Sequence, residues 1–157
     1  MLKEIATHRS VRRFLRRDIA PEVLTDILHA ATHASTVGNM QLYSIIVTID
    51  SRVRHELAVD SIDESAAEEA SVLLVFCADV HRFSKWCSQR DTKPEYQNLM
   101  WYAHATADAL RAAENAALQA ESYGLGICFI DTVLRSADRL VELLGLPRGV
   151  VPTAVLA

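Results

Sequence analysis

The segment "HRSVRRFLRR", residues 8–17, concentrates groups that bind anions. Within it, Arg9, Ser10 and Arg12 bring two guanidinium groups and a hydroxyl close together along the chain. Guanidinium groups make charge-assisted, often paired hydrogen bonds to phosphate oxygens, and a hydroxyl adds a further donor. A nucleic acid, a membrane surface and the phosphate of a small cofactor are all possible anions for this segment.

Two other interpretations of the segment have to be weighed. A solvated basic surface suits three of its arginines better than a binding site does: Arg13, Arg16 and Arg17. Nucleic-acid binding requires positive charge summed over a broad face, whereas this 157-residue chain carries a net charge of −4. We therefore expect the basic cluster to be a local feature and expect no nucleic-acid partner.

The sequence shows no membrane or export signal. No apolar run approaches the roughly 20 residues that span a bilayer, and the N-terminal "MLKEIATH" lacks an apolar core. We expect a cytoplasmic protein without a membrane partner.

The residues that bind metals or act as nucleophiles form no recognisable set. Cys77, Cys87 and Cys128 are far apart and contain no CxxC pair, so we interpret them as buried thiols. His29 and His33 lie one helical turn apart, but no third ligand is evident, which favours partly exposed helix positions over a metal site. No Ser-His-Asp or Cys-His arrangement is evident from the spacing. The sequence predicts no metal and no catalytic side chain.

The periodicity predicts one α+β or α/β domain, because apolar helical stripes alternate with short β-branched runs. Helices are predicted at 2–7, 21–35, 52–58, 64–70, 81–87, 95–123 and 136–145, and buried strands at 44–49, 71–78, 126–131 and 150–157. The helix at 95–123 is the longest. Its predicted buried stripe consists of Leu99, Ala103, Thr106, Leu110, Ala113, Ala117 and Ala120.

Several blocks, in order along the chain, resemble the nitroreductase family of FMN-dependent oxidoreductases. They are "HRSVRRF", "STVGNMQLYSIIV", "VFCADVHRFSKWC", "AESYGLGICFI" and "LVELLGLPRGVVP". The resemblance is closest to the branch of NADPH nitroreductases and flavin reductases. It implies a single α+β domain over 1–157, a three-layer α/β/α sandwich with a central mixed sheet and a long central helix. It also implies that the usual C-terminal segment, which carries basic residues and an arm around the partner, is lacking.

The resemblance assigns two groups of residues to FMN. The phosphate and part of the ring are expected at His8, Arg9, Ser10 and Arg12. The edge of the ring, in part across a dimer interface, is expected at Thr36, Val37, Gly38, Asn39 and Gln41. Small residues let backbone amides approach a flat ring, and an amide side chain both donates and accepts.

Three further positions are implied with departures from the family pattern. The backbone of Ile130 or Asp131 is expected to face the reactive flavin nitrogen, although many relatives have a glycine pair at Asp131 and Thr132. Glu64 stands where relatives have a flavin-contacting glutamine.

The activity implied is that of a homodimeric, FMN-dependent NAD(P)H oxidoreductase. NADPH or NADH would donate a hydride, and a nitroaromatic, a quinone or a free flavin would be the small-molecule acceptor in a ping-pong cycle. The cofactor would supply the redox chemistry. The alternative is a non-catalytic flavin-binding or interaction module with the same fold, which the departures at Glu64 and Asp131 and the lacking C-terminal segment favour.

Overall fold

The structure is a computed structural model that describes residues 1–59, 64–92, 98–130, 135 and 137–157. Its helices are α1 (Lys3–Thr7), α2 (Pro21–Thr32), α3 (Ser51–Ala58), α4 (Glu64–Glu69), α5 (His81–Ser88), α6 (Leu99–Ser122) and α7 (Ala137–Leu143). Its strands are β1 (Tyr43–Thr48), β2 (Leu73–Asp79), β3 (Phe129–Ile130) and β4 (Val150–Leu156). The type and order of the predicted elements are confirmed, while several ends differ by a few residues.

The four strands form one sheet in the order β1-β2-β4-β3, and each neighbouring pair is antiparallel. The described strands thus form an antiparallel sheet and not the expected mixed one, and the one parallel pairing among the described residues is an isolated bridge between Ser10 and Ile127, outside the strands. The antiparallel pairing of β1 and β2 follows from their connection. Because two helices, α3 and α4, pack on each other between the strands, the chain returns to the end of the sheet that it left.

The sheet lies between two helical layers, which confirms the three-layer α/β/α prediction. Side chains alternate between the two faces of a strand. On β2, Leu74 and Phe76 pack against α2 and α6, whereas Leu73, Val75 and Cys77 pack toward α3, α4 and α7. Since both faces of β2 are buried, the strand is apolar along almost its whole length, as a central strand requires.

The longest helix, α6, has 24 residues and is about 36 Å long at 1.5 Å per residue. The Asn98 side chain caps it by accepting a hydrogen bond from the Trp101 amide (3.1 Å). The predicted residues 95–97 lie outside the described part of the chain. Gly124, with φ of 76°, follows the end of the helix as predicted.

The buried face of α6 differs from the predicted stripe. Ala113, Ala117 and Ala120 are buried as expected, but Leu99 is 79% exposed and Leu110 is 46% exposed. The face that meets the sheet and α2 consists of Ala105, Asp108, Ala109, Ala112, Ala113, Ala116, Ala117 and Ala120. The prediction followed the larger apolar side chains, whereas the close approach of α6 to its neighbours selects the alanines.

The three cysteines are buried and form no disulfide with one another. Burial raises the pKa of the Cys77 thiol to about 12, with a smaller contribution from the Asp79 carboxylate. Cys77 is therefore protonated at neutral pH and is an inert core residue. Within the described residues, no helix combines the length and apolar character needed to cross a bilayer.

Candidate functional site

The N-terminal segment, residues 8–14, lies beside the chain at Ile127. Ser10 forms the parallel bridge with Ile127, and the Val11 amide donates to the Ile127 carbonyl (2.8 Å). Gly126 makes this approach possible, since a Cβ there would lie 2.9 Å from the Val11 side chain. The second glycine of the "GLGICFI" block, Gly126, is thus required because a side chain there would clash with Val11. The sequence pattern alone did not show this requirement.

A glutamate of α4 holds the other end of the N-terminal segment. Glu69 accepts hydrogen bonds from the Phe14 amide (3.0 Å) and from Nη1 of Arg13 (2.7 Å). The Phe14 amide, followed by the Arg13 side chain, lowers the pKa of Glu69. Arg13 is exposed, as the interpretation from the sequence expected, and in addition it pairs with Glu69.

Arg9, Ser10 and Arg12 are all at the surface. Arg12 lies between the two attachments, Ser10 belongs to the first of them and Arg9 directly precedes it. His8 precedes them, and its Nδ1 donates to Oε1 of Glu121 near the end of α6 (3.0 Å). The side chains predicted to bind a phosphate are thus presented on a short exposed segment whose backbone is attached on both sides. Such an arrangement reduces the entropy that ordering them on a ligand would cost.

The second predicted group lies in the 36–42 loop, which leads into β1. A 3₁₀ turn at Val37–Asn39 begins after Thr36. Gly38, Asn39 and Gln41 have φ of 54°, 55° and 53°, and all three are exposed. The left-handed conformation costs roughly 1–2 kcal/mol at a residue with a Cβ, and strained backbone of this kind concentrates at functional sites.

A buried carboxylate holds this loop at its two ends. Asp108 of α6 is 0% exposed, and its Oδ1 and Oδ2 accept from the amides of Val37 (3.0 Å) and Leu42 (3.3 Å). Arg111 compensates its charge through Nη1 at 3.1 Å from Oδ1. Sequence reasoning missed Asp108, although a lone aspartate among the alanines of an apolar helix face is a signal that marks it.

The loop is also held from α5. Arg82 donates through Nη2 to the Gln41 carbonyl. The Arg82 amide in turn donates to Oδ1 of Asp79 (2.9 Å), whose Oδ2 accepts from the Ser44 hydroxyl (2.5 Å). The Asp79 amide donates to the Leu42 carbonyl (2.9 Å). These bonds connect the loop to the start of β1 and the end of β2.

The two predicted groups do not meet within one chain. His8 is bonded at Glu121 and Val37 at Asp108, thirteen positions apart on α6, which corresponds to roughly 20 Å along the helix. One chain therefore presents the N-terminal segment and the 36–42 loop at separate places along the same helix.

The structure describes only some of the remaining predicted positions, Ile130, Asp131 and Glu64. The Ile130 side chain is 3% exposed and packs in the core, so only its backbone remains available for the predicted contact. Asp131 lies outside the described residues. Glu64 is the first residue of α4, and its contact with the cofactor stays a prediction.

The histidine pair on α2 is engaged locally. The His33 Nδ1 donates to the His29 carbonyl (2.9 Å), and the two rings meet edge to face at 4.5 Å between centroids. No group of three or more His, Cys, Asp or Glu residues suited to a metal ion is found in the described ranges.

The sequence profile described as the nitroreductase family matches residues 5–157. The chain belongs to the nitroreductase family. Among curated nitroreductase relatives, it is 32% identical to the "FMN reductase (NADPH)" of Bacillus subtilis over 99% of the chain. It is 34% identical to the "NADPH-flavin oxidoreductase" of Vibrio harveyi over 94% of the chain. The chain spans 64% and 60% of the length of these two relatives.

A solved nitroreductase structure extends the similarity to three dimensions. The NfrA1 nitroreductase of Bacillus subtilis matches 99% of this chain with a TM-score of 0.94 and 32% identity, and the match covers 64% of that protein. The resemblance proposed from the sequence blocks is therefore confirmed at the level of family and fold.

We predict that Glu69→Gln loosens the N-terminal segment in a pH-dependent way. Because the native pKa of Glu69 is lowered, its stabilising effect is complete above the ordinary glutamate pKa of about 4.3 and is lost as the pH falls through the native pKa. The difference in unfolding free energy between wild type and variant should therefore be present at neutral pH and vanish in acid. Denaturant unfolding across this pH range measures it.

Hydrogen exchange at the Phe14 amide provides the local readout. Exchange should be faster in Glu69→Gln at neutral pH, whereas Glu142→Gln, which removes the same charge from an exposed position on α7, should leave it unchanged. Equal Phe14 exchange in wild type and Glu69→Gln at neutral pH would contradict the attachment.

Proposed function

We propose that this chain binds FMN and belongs to an NAD(P)H-dependent flavin oxidoreductase. The observation that carries the proposal is the exposed set of Arg9, Ser10 and Arg12 on a segment attached at Ile127 and Glu69. Two cationic side chains and a hydroxyl fit a phosphate monoester, which is the charged end of FMN. The names of the two curated relatives, which mention FMN or flavin together with NADPH, support the same cofactors.

The chain contributes binding and orientation to this chemistry. When bound, FMN supplies the redox chemistry, accepting a hydride from reduced nicotinamide and passing electrons to a nitroaromatic, a quinone or a free flavin. Arg9 and Arg12 would neutralise the phosphate and position it. The exposed amide side chains of Asn39 and Gln41 would donate to and accept from the polar edge of the ring. Donor and acceptor would share one open pocket, in ping-pong order. A cytoplasmic location stays a prediction from the sequence.

We further propose a homodimer, in which the N-terminal segment of one chain and the 36–42 loop of its partner would contact the same FMN. Within one chain, the anchors of the N-terminal segment and of the 36–42 loop are roughly 20 Å apart along α6. The first half of α6 also carries exposed apolar side chains at Leu99, Met100, Tyr102 and Leu110. Contiguous exposed apolar surface of this kind is typical of protein interfaces.

Arg12→Ala should weaken binding of FMN far more than binding of riboflavin, because only FMN has the phosphate. The loss of one charge-assisted contact costs about 1.5–3 kcal/mol, or one to two decades in Kd. Fluorescence titration of the apo chain with each flavin measures both values. Arg17→Ala, an exposed arginine of the same basic run, is the matched control and should change neither Kd. Equal losses for the two flavins in Arg12→Ala would exclude the phosphate role.

Anaerobic addition of NADPH should bleach the visible absorption of the FMN-loaded protein, and a quinone should restore it. The same experiment with NADH determines the preferred donor. FMN that stays oxidised with both donors would instead support the non-catalytic module. The names of the relatives do not favour that alternative, since they describe reductases and oxidoreductases.

Leu99→Glu combined with Leu110→Glu should convert a dimer into a monomer, because each places a charge on the exposed apolar face of α6. Analytical ultracentrifugation measures the oligomeric state. FMN affinity should decrease when the dimer dissociates. Ile49→Glu places the same charge at another exposed apolar residue, 69% exposed, and should leave the mass unchanged. A wild-type chain that is monomeric at all concentrations would contradict the proposal.

A further inference from the structure

The 36–42 loop adopts a left-handed backbone that Gly38 and Asn39 accommodate readily and that is unfavourable for Gln41. Three of its residues are left-handed, and two of them, Asn39 and Gln41, carry a Cβ. A Cβ at Gly38 would meet no atom closer than 3.6 Å, so steric space does not require glycine there. The φ of 54° favours glycine instead. A loop with this backbone needs support from outside itself to keep one conformation.

Asp108 supplies that support at both ends of the loop. Its two oxygens accept separately from the amides of Val37 and Leu42, so the carboxylate bridges the entry and the exit of the loop. The Asp108 side chain and Leu42 are both fully buried, so the Leu42 amide would have no water to replace this partner. Only an ionised carboxylate accepts at both positions; an asparagine would direct an N–H group at one of the two amides.

We propose that Asp108 is a positioning residue for flavin binding, acting through the 36–42 loop and without touching the cofactor. The inference rests on the proposed function, in which this loop meets the ring edge. Arg82 also holds this loop, through a hydrogen bond to the Gln41 carbonyl. Between these two supports, the exposed residues Gly38 and Asn39 are held ready in their left-handed conformation.

Asp108→Asn should weaken binding of FMN and of riboflavin by the same factor, roughly tenfold. The two flavins share the ring that the loop is proposed to meet, whereas the phosphate lies at the N-terminal segment. This pattern differs from that of Arg12→Ala, which separates the two flavins. Hydrogen exchange at the Val37 and Leu42 amides should accelerate in the same variant. The amides of β2 should slow or accelerate only as much as the change in the global free energy of unfolding requires.

Asn115→Ala is the matched control for a general loss of stability. Asn115 lies on the same helix and donates from Nδ2 to the Ala30 carbonyl of α2 (3.3 Å), away from the loop. Its removal lowers stability through α6 in a similar way but should change neither flavin Kd nor the exchange of Val37. If Asn115→Ala weakens flavin binding as much as Asp108→Asn does, Asp108 is merely structural.

A variant of the loop itself, Val37→Pro, tests the same hydrogen bond in case Asp108→Asn does not fold. Val37→Pro deletes the amide that Asp108 accepts from, and Thr36, with φ of −125° and ψ of 154°, already has the extended backbone required before proline. Val37→Ala keeps the amide and serves as its reference. Leu42 exchange and both flavin Kd values should rise in Val37→Pro relative to Val37→Ala.

The outcomes separate this inference from the proposed function. If the wild-type chain binds neither flavin, the proposed function fails, while the exchange data still decide whether Asp108 holds the loop. If Val37 and Leu42 exchange at wild-type rates in Asp108→Asn, and Val37→Pro behaves like Val37→Ala, the positioning role is wrong even when FMN binds.

Discussion

The alanine face of α6 is the constraint on which the arrangement of the candidate site depends. Ala109, Ala112, Ala113 and Ala116 are fully buried, so α6 lies close to β2 and α2 along much of its length. One rigid helix can then hold two distant parts of the chain, His8 through Glu121 and Val37 through Asp108. A larger residue on this face would move the helix away from the sheet and would displace both attachments together.

Burying the Asp108 carboxylate costs free energy that its partners must offset. An ionised group removed from water is tolerated when it is paired and hydrogen-bonded, and here two amides and the Arg111 guanidinium meet that requirement. The structure thus places a charge in its interior next to a strained loop. An apolar residue in place of Asp108 would leave the Val37 and Leu42 amides without their acceptor, so the carboxylate contributes to both the stability and the conformation of the loop.

The basic N-terminal segment shows how neighbouring residues of one type take different roles. Arg13 pairs with Glu69 and helps to secure the backbone, whereas Arg9 and Arg12 stand at the surface beside it. The attachment at Phe14 and the close approach at Gly126 determine where the segment runs. The backbone that carries the side chains predicted to bind an anion is therefore positioned by uncharged contacts and by one carboxylate.

The sequence by itself determined the element types through hydrophobic periodicity and the family through short motifs, because both are local properties. The three layers were implied by the resemblance to that family. The segments at 8–12 and 36–41 were identified in the same way, from residue types and their order. Tertiary structure alone decided which face of α6 is buried, since a helix rich in alanine is nearly as apolar on several sides and Leu99 and Leu110 misled the prediction. It also decided that Asp108 holds the 36–42 loop, that Glu69 holds Arg13, and that the two predicted groups lie apart in one chain. These are contacts between residues more than fifty positions apart, and no local pattern encodes them.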